Sequence, residues 1–289
     1  MPKVQNMAVF CSLRCRALRG PASGRSETEE PSQVRVQRLR VALGTWVSIE
    51  TTAPTEPMAV AGIEAAYRAI AEVESWMHPR REGSDLARIN CAPPETHVPI
   101  TDSTWRVLRL AQAVHCLSGG TFDPCLPSHA GRLTDVVLTA PNMKSRSALC
   151  RLPLALDLGG IAKGYAIDRA IEALRAARCT SGLVNAGGDL RVYRRSERVL
   201  LRHADDTCEP LTLTHAALAV STADLDTRRR PPEHKGYYRR SGAMGPAPRY
   251  AAVIAPSAAV ADALTKCVLL ADAASAARTL RAFRARRVS

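Results

Sequence analysis

The sequence predicts an α+β fold of antiparallel sheets with flanking helices, and three observations lead there. Amphipathic helical patterns run from Ala59 to Met77, Ser103 to Leu117 and Ala258 to Leu270. Short apolar or alternating strand patterns fall among them without the strand–helix repeat of a doubly wound sheet. Two glycine pairs, Gly159-Gly160 and Gly187-Gly188, each follow an apolar run and each have an aspartate beside them. A glycine pair at a strand end suggests backbone brought close to a ligand.

Taken in order, residues 1–34 read as a disordered leader, rich in Ser, Pro and charge, and residues 35–289 as one folded domain. Alternation from Val34 to Glu50 reads as a half-buried strand interrupted at Gly44-Thr45-Trp46. Pro54 to Pro57 makes a turn before the Ala59–Met77 helix, which sets Ile63, Tyr67, Ile70 and Met77 on one side. Ser84 caps a short helical turn, and Gly119-Gly120 stops the helix that begins near Ser103. Residues 125–150 are weakly patterned and suggest a loop with one strand around Val136 to Leu138. The stretch Leu152 to Leu156 enters the first glycine pair, a helix follows from Ile161, and Leu183-Val184 runs into the second pair. Beyond it, Leu190–Tyr193 with Val199–Arg202 suggests a hairpin, and Leu211–Val220 a further strand. Residues 224–249 read as a charged loop, Tyr250–Ile254 as a strand, and Ser257 as the cap of the Ala258–Leu270 helix. A final helix is expected from Ser275 to Arg284.

Composition narrows the function classes. At 289 residues with 46% hydrophobic but only 4% aromatic content, the core must be mainly aliphatic. The net charge of +13 attracts phosphates and other anions. Its basic runs, such as Arg228-Arg229-Arg230, form no nucleic-acid module. Nine cysteines, odd in number and scattered, argue for reduced thiols and a cytoplasmic location. No apolar window of about 20 residues offers a transmembrane span. A glycine turn opening a helix presents backbone N–H groups and the positive end of the helix dipole, which suits a phosphate. Against that, an aspartate at a strand end is by itself a turn-former. Asp262 and Lys266, four apart on a helix, also read as an exposed ion pair.

Seven segments together resemble the FAD:protein FMN transferases, the ApbE-type flavin transferases, from about Leu43 to the end. They are LGTWVSIE (43–50), SDLARIN (84–90), SGGTFDP (118–124), DLGGIAKGYAIDRA (157–170), VNAGGDLRV (184–192), AVST (219–222) and APSAAVADALTK (255–266). The resemblance implies a T-fold-like architecture with an FAD cleft. It implies transfer of the FMN half of FAD to a Ser or Thr hydroxyl of an acceptor protein, with release of AMP and help from Mg2+. It also implies site residues. Leu43, Thr121, Phe122, Asp123, Asp157 and Lys163 would contact FAD; Gly160, Asp262 and Thr265 would hold the metal; Asp262, Lys163 and Asp189 would carry the catalysis. The chemistry needs such groups, because a hydroxyl is a poor nucleophile and the diphosphate repels it unless its charge is offset.

The sequence departs from that pattern in four places. Leu43 stands where Met is usual, Met77-His78-Pro79-Arg80 replaces a loop that often carries Ser and an aromatic, and Tyr237 to Gly242 fills the place of a His-containing segment. Lys266 stands where Thr is common, four residues after Asp262. Either Thr265 moves into the metal shell and Lys266 meets a phosphate, or Lys266 supplies the positive charge itself and metal is held weakly. Two alternatives to the transferase stand beside it: a non-catalytic FAD-binding relative, and a pyrophosphatase cleaving FAD to FMN and AMP.

Overall fold

The computed structural model describes residues 33–142, 145–203, 205–222 and 250–288. The expected leader, apart from its last two residues, and the loop at 224–249 lie outside the described residues.

The opening alternation is a hairpin rather than one interrupted strand. β1 (Val34–Ala42) pairs antiparallel with β2 (Thr45–Ala53), in register from Val34↔Ala53 to Ala42↔Thr45. Leu43 and Gly44 form the turn, with φ of 53° and 69°. Two successive positive φ values give a twist that suits a two-residue hairpin, so Gly44 marks a reversal and not a bulge.

Helix α1 (Glu56–Met77) starts on Thr55, which accepts from Met58 N, with Pro57 in its first turn. Helix α2 (Asp85–Cys91) starts on Ser84. Helix α3 (Asp102–Leu117) starts on Thr101 and stops before Gly119 and Gly120, both at positive φ. A small sheet follows in the order β3-β5-β4, made of β3 (Val98–Pro99), β4 (Val136–Asn142) and β5 (Ser145–Cys150). The 125–150 region thus holds two strands where the sequence suggests one; Ser145–Cys150 is too polar to announce itself by alternation. Leu152–Leu156 makes only an isolated bridge, Cys125↔Leu156.

The second half comprises α4 (Ala162–Ala176), β6 (Ser181–Ala186), β7 (Asp189–Tyr193), β8 (Ser196–Arg202), β9 (Cys208–Thr214), β10 (Ala217–Thr222) and β11 (Tyr250–Ala255). It ends with α5 (Ala258–Leu270), α6 (Ala273–Ala282) and β12 (Arg286–Val288). The main sheet runs β1-β2-β6-β7-β10-β11-β12, each neighbouring pair antiparallel. The expected β7–β8 hairpin does not form: β7 lies between β6 and β10, while β8 pairs with β9 as a separate ribbon.

Layering explains these choices. Helices α1, α4 and α5 cover one face of the sheet, with α4 packed against both of the others. Ile49, Ile63, Ile70, Ile167, Ile171 and Leu264 fill that interface. The β8–β9 ribbon covers the other face, where Leu190, Val192, Val199, Leu201, Leu213 and Leu218 make a second cluster. The core is aliphatic as composition requires; Phe122 is the one aromatic among the largest fully buried side chains. Trp46 and Trp76 are exposed. Among the described residues no helix is long and apolar enough to cross a membrane.

Candidate active site

Two helix N-termini meet beneath the sheet end, and each is held by an aspartate from the other helix. Asp262 of α5 accepts from the Gly164 N–H in the first turn of α4, at 3.1 Å. Asp168 of α4 accepts from the Ala258 and Ala259 N–H groups that open α5, at 2.8 and 2.9 Å. Each carboxylate satisfies N–H groups that lack partners within their own helix and lies at the positive end of its dipole. The approach is close because position 164 is glycine: a Cβ there would sit 2.2 Å from the Ala258 carbonyl oxygen. Arg191 adds a 2.5 Å ion pair to Asp168. Burial pushes the Asp168 carboxyl above its usual range despite Arg191 and the two N–H donors.

Strand alternation then completes a cluster. On β7, Leu190 and Val192 face the β8–β9 ribbon, so Asp189 and Arg191 face the helices. Asp189 accepts from Val220 N at 2.9 Å and pairs with the Lys163 ammonium, also at 2.9 Å. Burial opposes the charge on Lys163, but the Asp189 and Asp262 carboxylates outweigh it and raise the pKa above the ordinary lysine value. Burial also lifts the Asp189 carboxyl. The Lys266 ammonium pairs with Asp262 Oδ1 and donates to the Asp262 main-chain oxygen at 3.0 Å. Asp262 and Lys266 are 1% and 8% exposed, so the pair is buried and not the surface ion pair that helical spacing alone suggests. Lys163 keeps 31% of its side chain open to solvent, which leaves it able to meet a ligand.

A second corner holds the other expected FAD contacts. Asp157 N donates to Pro124 O at 2.9 Å, and Cys125 N donates to Asp123 Oδ1 at 2.9 Å. The Asn90 side chain clamps both polar groups of Leu156, donating to its oxygen and accepting from its nitrogen. His115 donates through Nδ1 to Phe122 O at 2.8 Å and lies 4.0 Å from Asp123. The loop from Asp157 to Gly164 links this corner to Asp262. Asp157, Asp123 and Asp262 therefore belong to one continuous structure.

The expected residues fall into distinct places. Lys163, Asp189, Asp262 and Thr265 converge. Leu43, at the β1–β2 turn, reaches the same end of the sheet, because Gly187 N donates to Trp46 O. Thr121, Phe122 and Asp123 are almost fully buried. Asp157 is half-buried and accepts from Gly159 N, closing a tight turn. Free helix N–H groups for a phosphate, expected at the first glycine pair, are largely spoken for: Ile161 and Ala162 donate to Leu158 O, and Gly164 to Asp262.

Gly160, Asp262 and Thr265 do not fit a hard divalent cation as they stand. One Asp262 carboxylate oxygen holds Lys266 and the other holds Gly164 N–H. The Thr265 hydroxyl donates to Asp262 O and pairs with Ser221 at 2.7 Å. Among the described residues no group of three His, Cys, Asp or Glu side chains could hold a metal ion. Asp168 and Asn90 sit inside quoted motifs, yet their roles escape sequence reading, since both act on backbone groups many residues away.

Solved structures share this architecture. The flavin transferase ApbE from Vibrio cholerae matches with a TM-score of 0.71 at 16% identity, covering 89% of this chain and 93% of that one. The apo flavinyl transferase ApbE of Pseudomonas stutzeri matches with a TM-score of 0.70 at 17% identity, covering 86% and 89%. The ApbE protein of Thermotoga maritima matches with a TM-score of 0.65 at 22% identity, covering 87% and 91%. These likenesses concern the fold. A FAD:protein FMN transferase of Treponema pallidum (strain Nichols) is 24% identical over 199 residues, or 59% of this chain. The match covers 54% of that protein, so the chain spans about half the length of its curated relative. The model of the ApbE family matches residues 43–287, a range that contains both acidic corners and both crossed helix caps, and the chain belongs to that family.

Proposed function

We propose that this chain transfers the FMN half of FAD to a Ser or Thr hydroxyl of an acceptor protein, releasing AMP. The acceptor oxygen bonds to the FMN phosphorus, and the bond from that phosphorus to the bridging oxygen breaks. AMP leaves with the bridging oxygen, and the hydroxyl proton passes to a base. The observation that carries the reading is the convergence of Lys163, Lys266, Asp189 and Asp262 at the first turn of α4. Phosphoryl transfer is mostly positioning and charge compensation, and a partly open Lys163 beside buried carboxylates suits both. Asp189 is assigned to the acceptor hydroxyl: burial makes it more basic, and its fixed bonds to Val220 and Lys163 hold it in one orientation. Asp262 positions Lys266 and the start of α4. The seven described cysteines are all free thiols, which supports placing the reaction in the cytoplasm.

Incubation with FAD should yield AMP, and a Ser/Thr-bearing acceptor should carry flavin fluorescence through denaturing electrophoresis. Asp189→Asn should lower kcat about 10²–10⁴-fold while FAD binding persists. AMP without covalent flavin on any acceptor would instead identify a hydrolase, and bound FAD without AMP a binding protein.

A further inference from the structure

We infer that the Lys266 ammonium is the built-in counter-cation of this site, so that FAD binds through Lys266 and Lys163 without a divalent metal. The inference rests on the FAD reading for its ligand, but its metal half does not. Asp262 offers one carboxylate oxygen to Lys266 and the other to the α4 backbone. Lys266 is held twice, by that carboxylate and by the main-chain oxygen of the same residue. A divalent ion would have to evict the ammonium, and Lys266 lies on a helix whose neighbouring side chains, Leu264, Cys267 and Leu269, are all buried. The cluster is already neutral: two carboxylates, Asp189 and Asp262, face two ammonium groups, Lys163 and Lys266, and each lysine lies within the electrostatic reach of both acids. Both oxygens of each carboxylate already have partners, so a dipositive ion finds none unpaired, whereas Lys163, partly open to solvent, can still donate to a diphosphate. An ammonium on a stem binds phosphate as a point charge.

Two readouts other than turnover test this. In the first, Mn2+ is titrated into metal-free full-length protein without FAD and followed by electron paramagnetic resonance. The wild type should leave the ion free, and Lys266→Thr, which unblocks the Asp262 carboxylate and adds a hydroxyl, should bind one equivalent that Asp262→Asn in the same background abolishes. In the second, FAD binding is followed by flavin fluorescence. The wild type should bind equally in EDTA and in Mg2+, and Lys266→Met should weaken binding about 10- to 100-fold. Lys266→Thr should regain affinity only with Mg2+. Stoichiometric Mn2+ on the wild type, lost in Asp262→Asn, would overturn the inference, as would loss of FAD binding in EDTA. Absence of FAD binding under every condition would sink the FAD reading while leaving the Mn2+ result to judge the metal half.

Discussion

Single residues here act mostly by satisfying backbone groups elsewhere. Asp168 holds two N–H groups of α5 and an arginine of β7, and Asp262 holds α4 and Lys266. Buried thiols are a second residue-scale feature, with a pH consequence. Burial pushes Cys267 up to about 12 and Cys150 to about 11 from an ordinary 9.0, and Cys125 higher still. Between the unfolded and folded values the folded chain holds protons that the unfolded chain has lost, so stability falls as pH rises above 9.0. Each thiol contributes a slope of at most about 1.4 kcal/mol per pH unit. Chemical denaturation across alkaline pH should show this decline, and Cys267→Ala should flatten it by about one thiol's share.

At the scale of elements, the site depends on how closely α4 and α5 approach. Gly164 sets that distance, since any side chain there meets the Ala258 backbone and not a movable side chain. Gly164→Ala should cost about 2–3 kcal/mol, more than the small gain in helix propensity returns. It should also weaken FAD binding, because both crossed caps lengthen together. Urea denaturation and flavin fluorescence on the same sample check the pair of effects; lost stability with unchanged binding would mean that the helix junction does not set the site. The β1–β2 turn is the other element whose role depends on contact. Gly187, at φ 60°, lies where a Cβ would be 2.6 Å from Thr45 Oγ1, so a side chain there would be strained and would displace the Thr45 side chain.

For the whole molecule, the main sheet separates two apolar layers with different tasks. The helix side carries Lys163, Asp189, Asp262 and Lys266; the ribbon side carries an apolar cluster and none of these four groups. Leu213→Ala on β9 should therefore destabilise the fold by about 2–4 kcal/mol and leave the FAD affinity of the folded fraction unchanged. A matched loss of affinity would show that the ribbon reaches the site through the sheet.

The sequence by itself determined the helices, their caps at Ser84 and Ser257 and the α+β class, because helical periodicity and capping are encoded within a few residues of where they act; the candidate groups Lys163, Asp189 and Asp262 came from the family resemblance instead. It mispaired one strand: Leu190–Tyr193 suggested a hairpin with Val199–Arg202, but β7 lies between β6 and β10 while β8 pairs with β9 and packs its apolar side on the face of the sheet away from the helices. The same limit hid Asp168, whose partners lie 90 and 91 positions away. It also left undecided whether Asp262 and Lys266 are a solvated pair or a sealed one. Spacing makes them neighbours on a helix, but only the packing of α4 and β10 over α5 takes them out of water, and burial is what turns a weak surface contact into the charge that organises the site.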